Sequence, residues 1–166
     1  MSFIPVPDLS VDSIYDIFPS VFKSRGIELV LIDVDNTIAP YGCYEADEKL
    51  IAWAKGIKNA GLELYILSNS KTTRPKIFAE ALGIDYSDRS KKPFTKTMKS
   101  VLQAHNIPGR KAALIGDQIY TDVLCAKASG VFSVLVKPVK FTNEFLRLRY
   151  WLEAPFRQAY RWRAKK

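Results

Sequence analysis

The stretch Leu29-Val30-Leu31-Ile32-Asp33-Val34-Asp35-Asn36-Thr37 decides the fold. Its first four residues are apolar with no polar position on either face, which predicts a strand buried on both sides, as in the middle of a parallel sheet. The next residues are of the opposite kind: carboxylates at Asp33 and Asp35, then an amide and a hydroxyl. Acids leaving a buried strand are costly unless a cation neutralises them, and a divalent metal does this. Outward from this stretch the same rhythm repeats. A helix is predicted from about Ala46 to Ala60, then a strand at Leu62 to Leu67, a helix at Arg74 to Leu82 and a short strand at Ile84 to Tyr86. After these come a helix from about Phe94 to His105, a strand at Ala112 to Ile115, a helix from about Tyr120 to Ser129 and a strand at Val131 to Val136. Upstream, Ile14, Ile17, Phe18, Val21 and Phe22 fall at helical spacing and predict an amphipathic helix over about 12–25, kinked at Pro19 and ended by Gly26. The β-α-β-α order predicts a Rossmann-like three-layer α/β/α sandwich with a mostly parallel sheet over residues 1–140, and a helical tail over 141–166.

The composition bounds the function. At 166 residues, 48% hydrophobic and 25% charged, the chain suits one folded domain and excludes collagenous or disordered classes. A net charge of +8 suggests nucleic acid at first sight. The charge is unevenly spread, however: residues 1–136 carry 16 basic and 15 acidic side chains, and residues 137–166 carry 9 basic and 2 acidic, a net of +7. No specific nucleic-acid partner is therefore expected. Cys43 and Cys125 stand 82 positions apart with no metal-ligand spacing, which implies neither a disulfide framework nor a zinc site. Asp8, Asp12 and Asp16 interrupt the segment where an export signal would need an apolar run, so a cytoplasmic protein is expected.

In doubly wound sheets ligands sit beyond the carboxyl ends of the strands, which is where this sequence places its polar residues. After the second β-run comes Ser68-Asn69-Ser70; after the third come Lys91 and Lys92, with Pro93 keeping Lys92 out of helical geometry; after the fourth comes Gly116-Asp117, with Asp122 on the turn into a helix. This ordered set resembles the haloacid dehalogenase (HAD) superfamily of phosphohydrolases: DxDxT at Asp33, Asp35 and Thr37, the strand-end serine at Ser68, the lysine at Lys92, and GDxxxxD at Gly116, Asp117 and Asp122. The resemblance covers about residues 28 to 137.

It implies a Mg2+-dependent phosphomonoester hydrolase that works through an aspartyl phosphate. Asp33 is then the nucleophile and Asp35 the general acid and base. Mg2+ would be held by the Asp33 carboxylate, the Asp35 main-chain carbonyl and Asp117, with Asp122 orienting the metal's waters or Lys92. Thr37, Ser68 and Lys92 would meet the phosphoryl oxygens. Plainer roles compete: Ser68 as a helix cap, Asp122 as a first-turn acid, and His105 as a helix-end cap. Lys91 and Lys92 are separated only by the neighbouring proline. Cys43 has no adjacent base and reads as a bystander.

Spacing narrows the substrate. Asp35 to Ser68 is 33 residues and Ser68 to Lys92 is 24, each filled by one helix and one strand, which leaves no room for a cap domain. Without a lid, a phosphate presented on something large is the expected substrate. The finer pattern, with the upstream helix, Leu67-Ser68-Asn69-Ser70, Lys92-Pro93 and Ile115 to Val123, resembles the YqeG-type phosphatases of HAD subfamily IIIA. Their relatives include the mitochondrial phosphatidylglycerophosphate phosphatase. That resemblance implies a phospholipid head group as substrate; Ser70 departs from the asparagine usual there. Asn69, in a small polar loop suited to a phosphate oxygen, and Arg74 nearby are the candidate substrate contacts, a solvated helix arginine being the competing reading of Arg74. In the tail, Phe145, Leu148, Leu152, Phe156 and Ala159 form one apolar helical face, with Arg147, Arg157 and Arg161 away from it, Trp151 and Trp162 on a flank, and a break at Pro155. A cationic amphipathic segment with tryptophan suits an anionic membrane surface, giving peripheral membrane association; the same face could instead cover the sheet, and the two readings are compatible. The alternatives are a capless phosphatase for phosphoprotein or nucleic-acid phosphate, and a non-catalytic RNA- or ribosome-binding module.

Overall fold

A computed structural model describes residues 5–141 and 144–163, with the backbone alone for Phe145, Trp162 and Arg163. Six parallel strands form one sheet: β1 (Leu9–Ser10), β2 (Leu29–Ile32), β3 (Glu63–Leu67), β4 (Asp85–Ser87), β5 (Ala112–Gly116) and β6 (Phe132–Leu135), in the order β1-β6-β5-β2-β3-β4. β2 lies at the centre and all its residues are buried, as a run with no polar face requires. Its alternation divides the core. Val30 and Ile32 point to a layer with Leu50, Ile57, Phe78 and Leu82. Leu29 and Leu31 point to the other, with Met98, Val101, Leu102 and Ala126.

The helices obey this division. α1 (Pro19–Lys23), α2 (Glu48–Asn59) and α3 (Arg74–Leu82) cover the first face, and α4 (Lys96–Ala104) and α5 (Leu124–Ala128) the second. Among the described residues the β2–β3 and β3–β4 crossovers hold one helix each and no inserted domain. Asp47 caps α2 by accepting from the Leu50 amide at 2.7 Å. His105 ends α4, its Nδ1 lying 2.6 Å from Glu63, away from the strand-end acids. Both cysteines are free.

Three segments depart from the sequence reading. The helix expected over about 12–25 is a single tight turn at Ile14–Asp16 followed by the separate α1. Ile17 is extended between them because Pro19, with no amide hydrogen, starts a helix instead of continuing one. Leu9–Ser10 adds an edge strand on β6, too short to announce itself by periodicity. The tail forms α6 (Glu144–Leu152) and α7 (Ala154–Arg163), broken at Glu153 just ahead of Pro155. The expected apolar face divides: Phe156 packs on Ile119, Val123 and Leu135, while Leu148 and Leu152 are half exposed; Leu146 and Glu153, off that face, are buried. The side chains of Phe145 and Trp162 lie outside the described set.

Candidate active site

β2, β3 and β5 end level with one another. Ile32 stands opposite Ile66 on one side and Ile115 on the other, so Asp33, Leu67 and Gly116 are each the next residue. Chain order reverses between β2 and β5, since β3 and β4 lie to one side and β6 and β1 to the other; the crevice over that reversal is where such a sheet binds ligands. Asp33 stays tied to β5 through its amide, 2.9 Å from the Ile115 carbonyl. The chain then turns sharply. Asn36 takes the left-handed conformation (φ 64°), which asparagine tolerates better than most residues, and its amide bonds Ala39 at 2.8 Å. The turn brings Thr37 back, with Oγ1 3.4 Å from Asp117.

Lys92 is the hub. Its Nζ lies 2.8 Å from Asp33, 2.8 Å from Asp122 and 2.7 Å from the Leu67 carbonyl, while Lys91 points to solvent. Burial works to lower the Lys92 pKa, but the charges of Asp122 and Asp33 overcome it and hold the ammonium protonated. Asn69 is exposed at the cavity, and its amide also serves the lysine. Its Oδ1 accepts from the Lys92 amide at 2.7 Å and from Ser90 Oγ at 2.8 Å, and its Nδ2 donates to the Lys92 carbonyl at 2.9 Å, so it brackets the lysine's backbone. Ser68 is fully buried and its Oγ accepts from the Ser70 amide at 3.1 Å, closing the turn after β3.

On the other side of the crevice, Asp122 rides on a wide helical turn, Ile119–Val123, and is as buried as Asp117. Its approach depends on Gly116: a Cβ there would lie 2.2 Å from the Asp122 carboxyl carbon, closer than atoms can come. Asp33, Asp117 and Asp122 bring carboxylate oxygens within 4.8 Å of one another, against a single ammonium. Burial and its acidic neighbours push the Asp117 carboxyl well above the usual range, and Asp117 Oδ2 is buried with no hydrogen-bond partner. Asp33 rises to about 6, from burial first, partly offset by Lys92. Three crowded carboxylates with an orphaned oxygen are the donor set a hard divalent cation requires. Mg2+ fits it, and Asp122 both joins the acid cluster and pairs with Lys92, the lysine it was expected to orient.

Asp35 and Arg74, which the sequence assigns to separate parts, act together. Arg74, buried at the start of α3, pairs with Asp35 through Nη1 and donates to the Cys43 carbonyl at 2.7 Å and the Pro40 carbonyl at 2.8 Å. With all three nitrogens engaged inside the protein, it positions Asp35 and the loop after β2 instead of facing a substrate phosphate. A cavity of about 270 Å3 opens over the site, lined by Asp33, Asp35, Asn69, Lys92 and Asp122 and also by Tyr41, Gln118, Thr121 and Arg149. The last four carry no signal in the sequence motifs. Nor does the role of the tail: Glu153 accepts from the Ile119 amide at 2.8 Å, and Arg157, expected on the exterior, donates to the Asp117 carbonyl and to Glu153, each at 2.9 Å. One hint exists, since Glu144 and Glu153 are the only acids in a strongly basic segment.

Comparison with known proteins agrees with this geometry. Residues 90–154 match the model of the HAD-hydrolase-like family. The protein named Probable phosphatase YqeG from Bacillus subtilis (strain 168) is 32% identical over 141 residues, spanning 85% of this chain and 82% of its own. Among solved structures, a hypothetical protein from Xanthomonas campestris superposes with a TM-score of 0.55 at 15% identity, covering 86% of this chain and 77% of its own. The cobalt-bound deoxy-D-mannose-octulosonate 8-phosphate phosphatase from Haemophilus influenzae does so with a TM-score of 0.53 at 16% identity, covering 69% and 70%. Those two show a shared fold, and the Bacillus protein shows more: this chain belongs to the YqeG family of HAD-type phosphatases.

Proposed function

We propose that this phosphatase works at the surface of an anionic membrane, where it removes the terminal phosphate of phosphatidylglycerophosphate to leave phosphatidylglycerol and inorganic phosphate. The observation that carries this reading is the outer face of α6. Leu148, Trp151 and Leu152 are 53%, 69% and 49% exposed, next to the cationic Arg147, on the same helix that borders the catalytic cavity. Apolar side chains at i, i+3 and i+4 flanked by arginine suit the head-group region of a bilayer. No helix among the described residues is long and apolar enough to cross one. The cavity, about 270 Å3, falls below the usual size of pockets that enclose a whole ligand, which favours a substrate whose bulk stays outside.

The chemistry assigned to the side chains accords with their positions. An oxygen of the Asp33 carboxylate attacks phosphorus, the bond to the head-group oxygen breaks, and the leaving alkoxide takes a proton from Asp35. In the second displacement water gives its proton to Asp35 and attacks phosphorus, breaking the bond to Asp33 and releasing phosphate. Asp33, Asp117 and Asp122 would hold Mg2+, which would supply positive charge against the negative charge developing on the phosphoryl group. Lys92 holds Asp33 and Asp122 in register, and Arg74 fixes the rotamer of Asp35. Asp33→Asn removes the nucleophile while keeping the side chain's size, so turnover should fall below detection with an unchanged circular dichroism spectrum. The deciding assay is Mg2+-dependent phosphate release from phosphatidylglycerophosphate in mixed micelles. Equal turnover of soluble sugar phosphates would sink the lipid reading, and undiminished activity in Asp33→Asn would sink the covalent mechanism.

A further inference from the structure

Two cations beside the acids are already paired. Lys92 Nζ donates to Asp33 at 2.8 Å and to the Leu67 carbonyl at 2.7 Å, and its charge lies 2.8 Å from Asp122. Arg74 is committed to Asp35 and to carbonyls on the loop after β2. A phosphate entering the site carries charge that neither can meet without giving up a partner. The remaining cation on the cavity wall is Arg149, from α6. Among the described residues it makes no ion pair within 4.0 Å, and its charge acts on the phenol of Tyr41, itself on the wall.

The placement of Arg149 is built. Leu146, Arg149, Tyr150 and Glu153 recur at i, i+3, i+4 and i+7 and form the docked face of α6. At the end of that face Glu153 accepts from Ile119 at 2.8 Å, and one turn further on Arg157 donates to the Asp117 carbonyl at 2.9 Å and lies 4.2 Å from the Tyr150 ring centre. The helix pair is thus bonded to the loop that carries Asp117, and it delivers one guanidinium to the mouth of the cavity.

We propose that Arg149 is a substrate-binding residue that grips the phosphoryl group with its guanidinium fork, so that the C-terminal helices supply the closing contact a cap domain would otherwise provide. This rests on the phosphatase reading, and it assigns the contact to the docked face of α6, opposite the membrane-facing stripe. The test is the affinity of the full-length chain for inorganic phosphate by calorimetry at saturating Mg2+, together with steady-state hydrolysis of a soluble phosphomonoester. Arg149→Ala should weaken phosphate binding by about 10- to 100-fold, as befits a lost charge-assisted contact, and raise KM by a similar factor. Arg149→Lys should recover part of the loss, as a point charge without the fork. Lys99→Ala, at an exposed lysine of α4 with no part in the site, should match the parent chain. An Arg149→Ala protein with parental phosphate affinity and KM would overturn the assignment. So would a loss in Arg149→Ala that Arg149→Lys does not relieve at all, accompanied by a lowered Tm, because that marks a purely structural arginine. If the parent chain binds phosphate with Mg2+ yet hydrolyses no phosphomonoester, the phosphatase reading fails while Arg149 is still judged by binding; absence of both overturns both.

Discussion

Asp33 and Asp117 hold their protons more tightly in the folded chain than when exposed, and the consequence is measurable. Asp33 rises from 3.8 to about 6, mainly because burial penalises its charge, and Asp117 moves the same way. Between these values the folded state binds more protons than the unfolded one, so metal-free stability falls as pH rises from about 4 to about 6 and stays low above that range. Mg2+ reverses the sign of the local problem, because its ligands must be ionised to bind it. Thermal melts should show Mg2+ raising Tm by roughly 5 to 10 °C at pH 7.5 when present at about 100 times its Kd, and by much less at pH 5. Equal shifts at both pH values would mean that these carboxylates are not the site. Among the carboxylates themselves, Asp33, Asp35, Asp117 and Asp122 are legible from spacing alone, because acids at successive strand ends are costly without a cation. The pairing of Arg74 with Asp35 is not, since it joins residues 39 positions apart through a loop whose path no periodicity reveals.

At the scale of elements, the tail is attached at Glu153. This buried carboxylate caps the wide turn Ile119–Val123 and anchors Arg157, which in turn holds the Asp117 carbonyl. Glu153→Ala leaves the Ile119 amide without its acceptor, at a cost of about 1 to 3 kcal/mol. The expected result is faster tryptic cleavage at Arg157 and Arg161, with the sheet domain remaining as a stable fragment and phosphate release reduced. Unchanged proteolysis would show that the helix pair is held mainly by Phe156 and Leu146. Of the expected apolar stripe, Leu148 and Leu152 lie outside while Phe156 docks on Ile119, Val123 and Leu135, beside the polar contacts of Glu153 and Arg157. An amphipathicity count ranks faces by hydrophobicity and does not show those polar contacts.

On the proposed reading, the whole molecule separates catalysis from membrane contact. Its central sheet gathers the acids, and α6 presents one face inward and another outward. Burying Trp151 and Leu148 in a bilayer is worth about 1.5 to 3 kcal/mol each, with roughly 1 kcal/mol more for each nearby arginine. The double substitution Leu148→Asp and Trp151→Asp should therefore cut co-sedimentation with phosphatidylglycerol vesicles by more than tenfold, while kcat/KM on a soluble phosphomonoester stays at the parental value. Vesicle binding that survives the change would place the membrane contact elsewhere.

The sequence by itself determined the alternation of strands and helices, the buried central strand, and most of the residues at the floor of the crevice. These are local: a run of four apolar residues, glycines ending helices, and acids placed just past strand ends report on their own neighbourhoods. Only the tertiary structure decided which of Lys91 and Lys92 reaches the acids, that Asn69 brackets a lysine's backbone, that Arg74 is spent on Asp35, and that a basic tail returns to the site with Arg149 and Glu153. Each of those facts depends on where chain segments far apart in sequence come to rest, and the balance is set by burial. A charge taken from water must find a partner wherever the fold supplies one, and a one-dimensional pattern cannot show where that is.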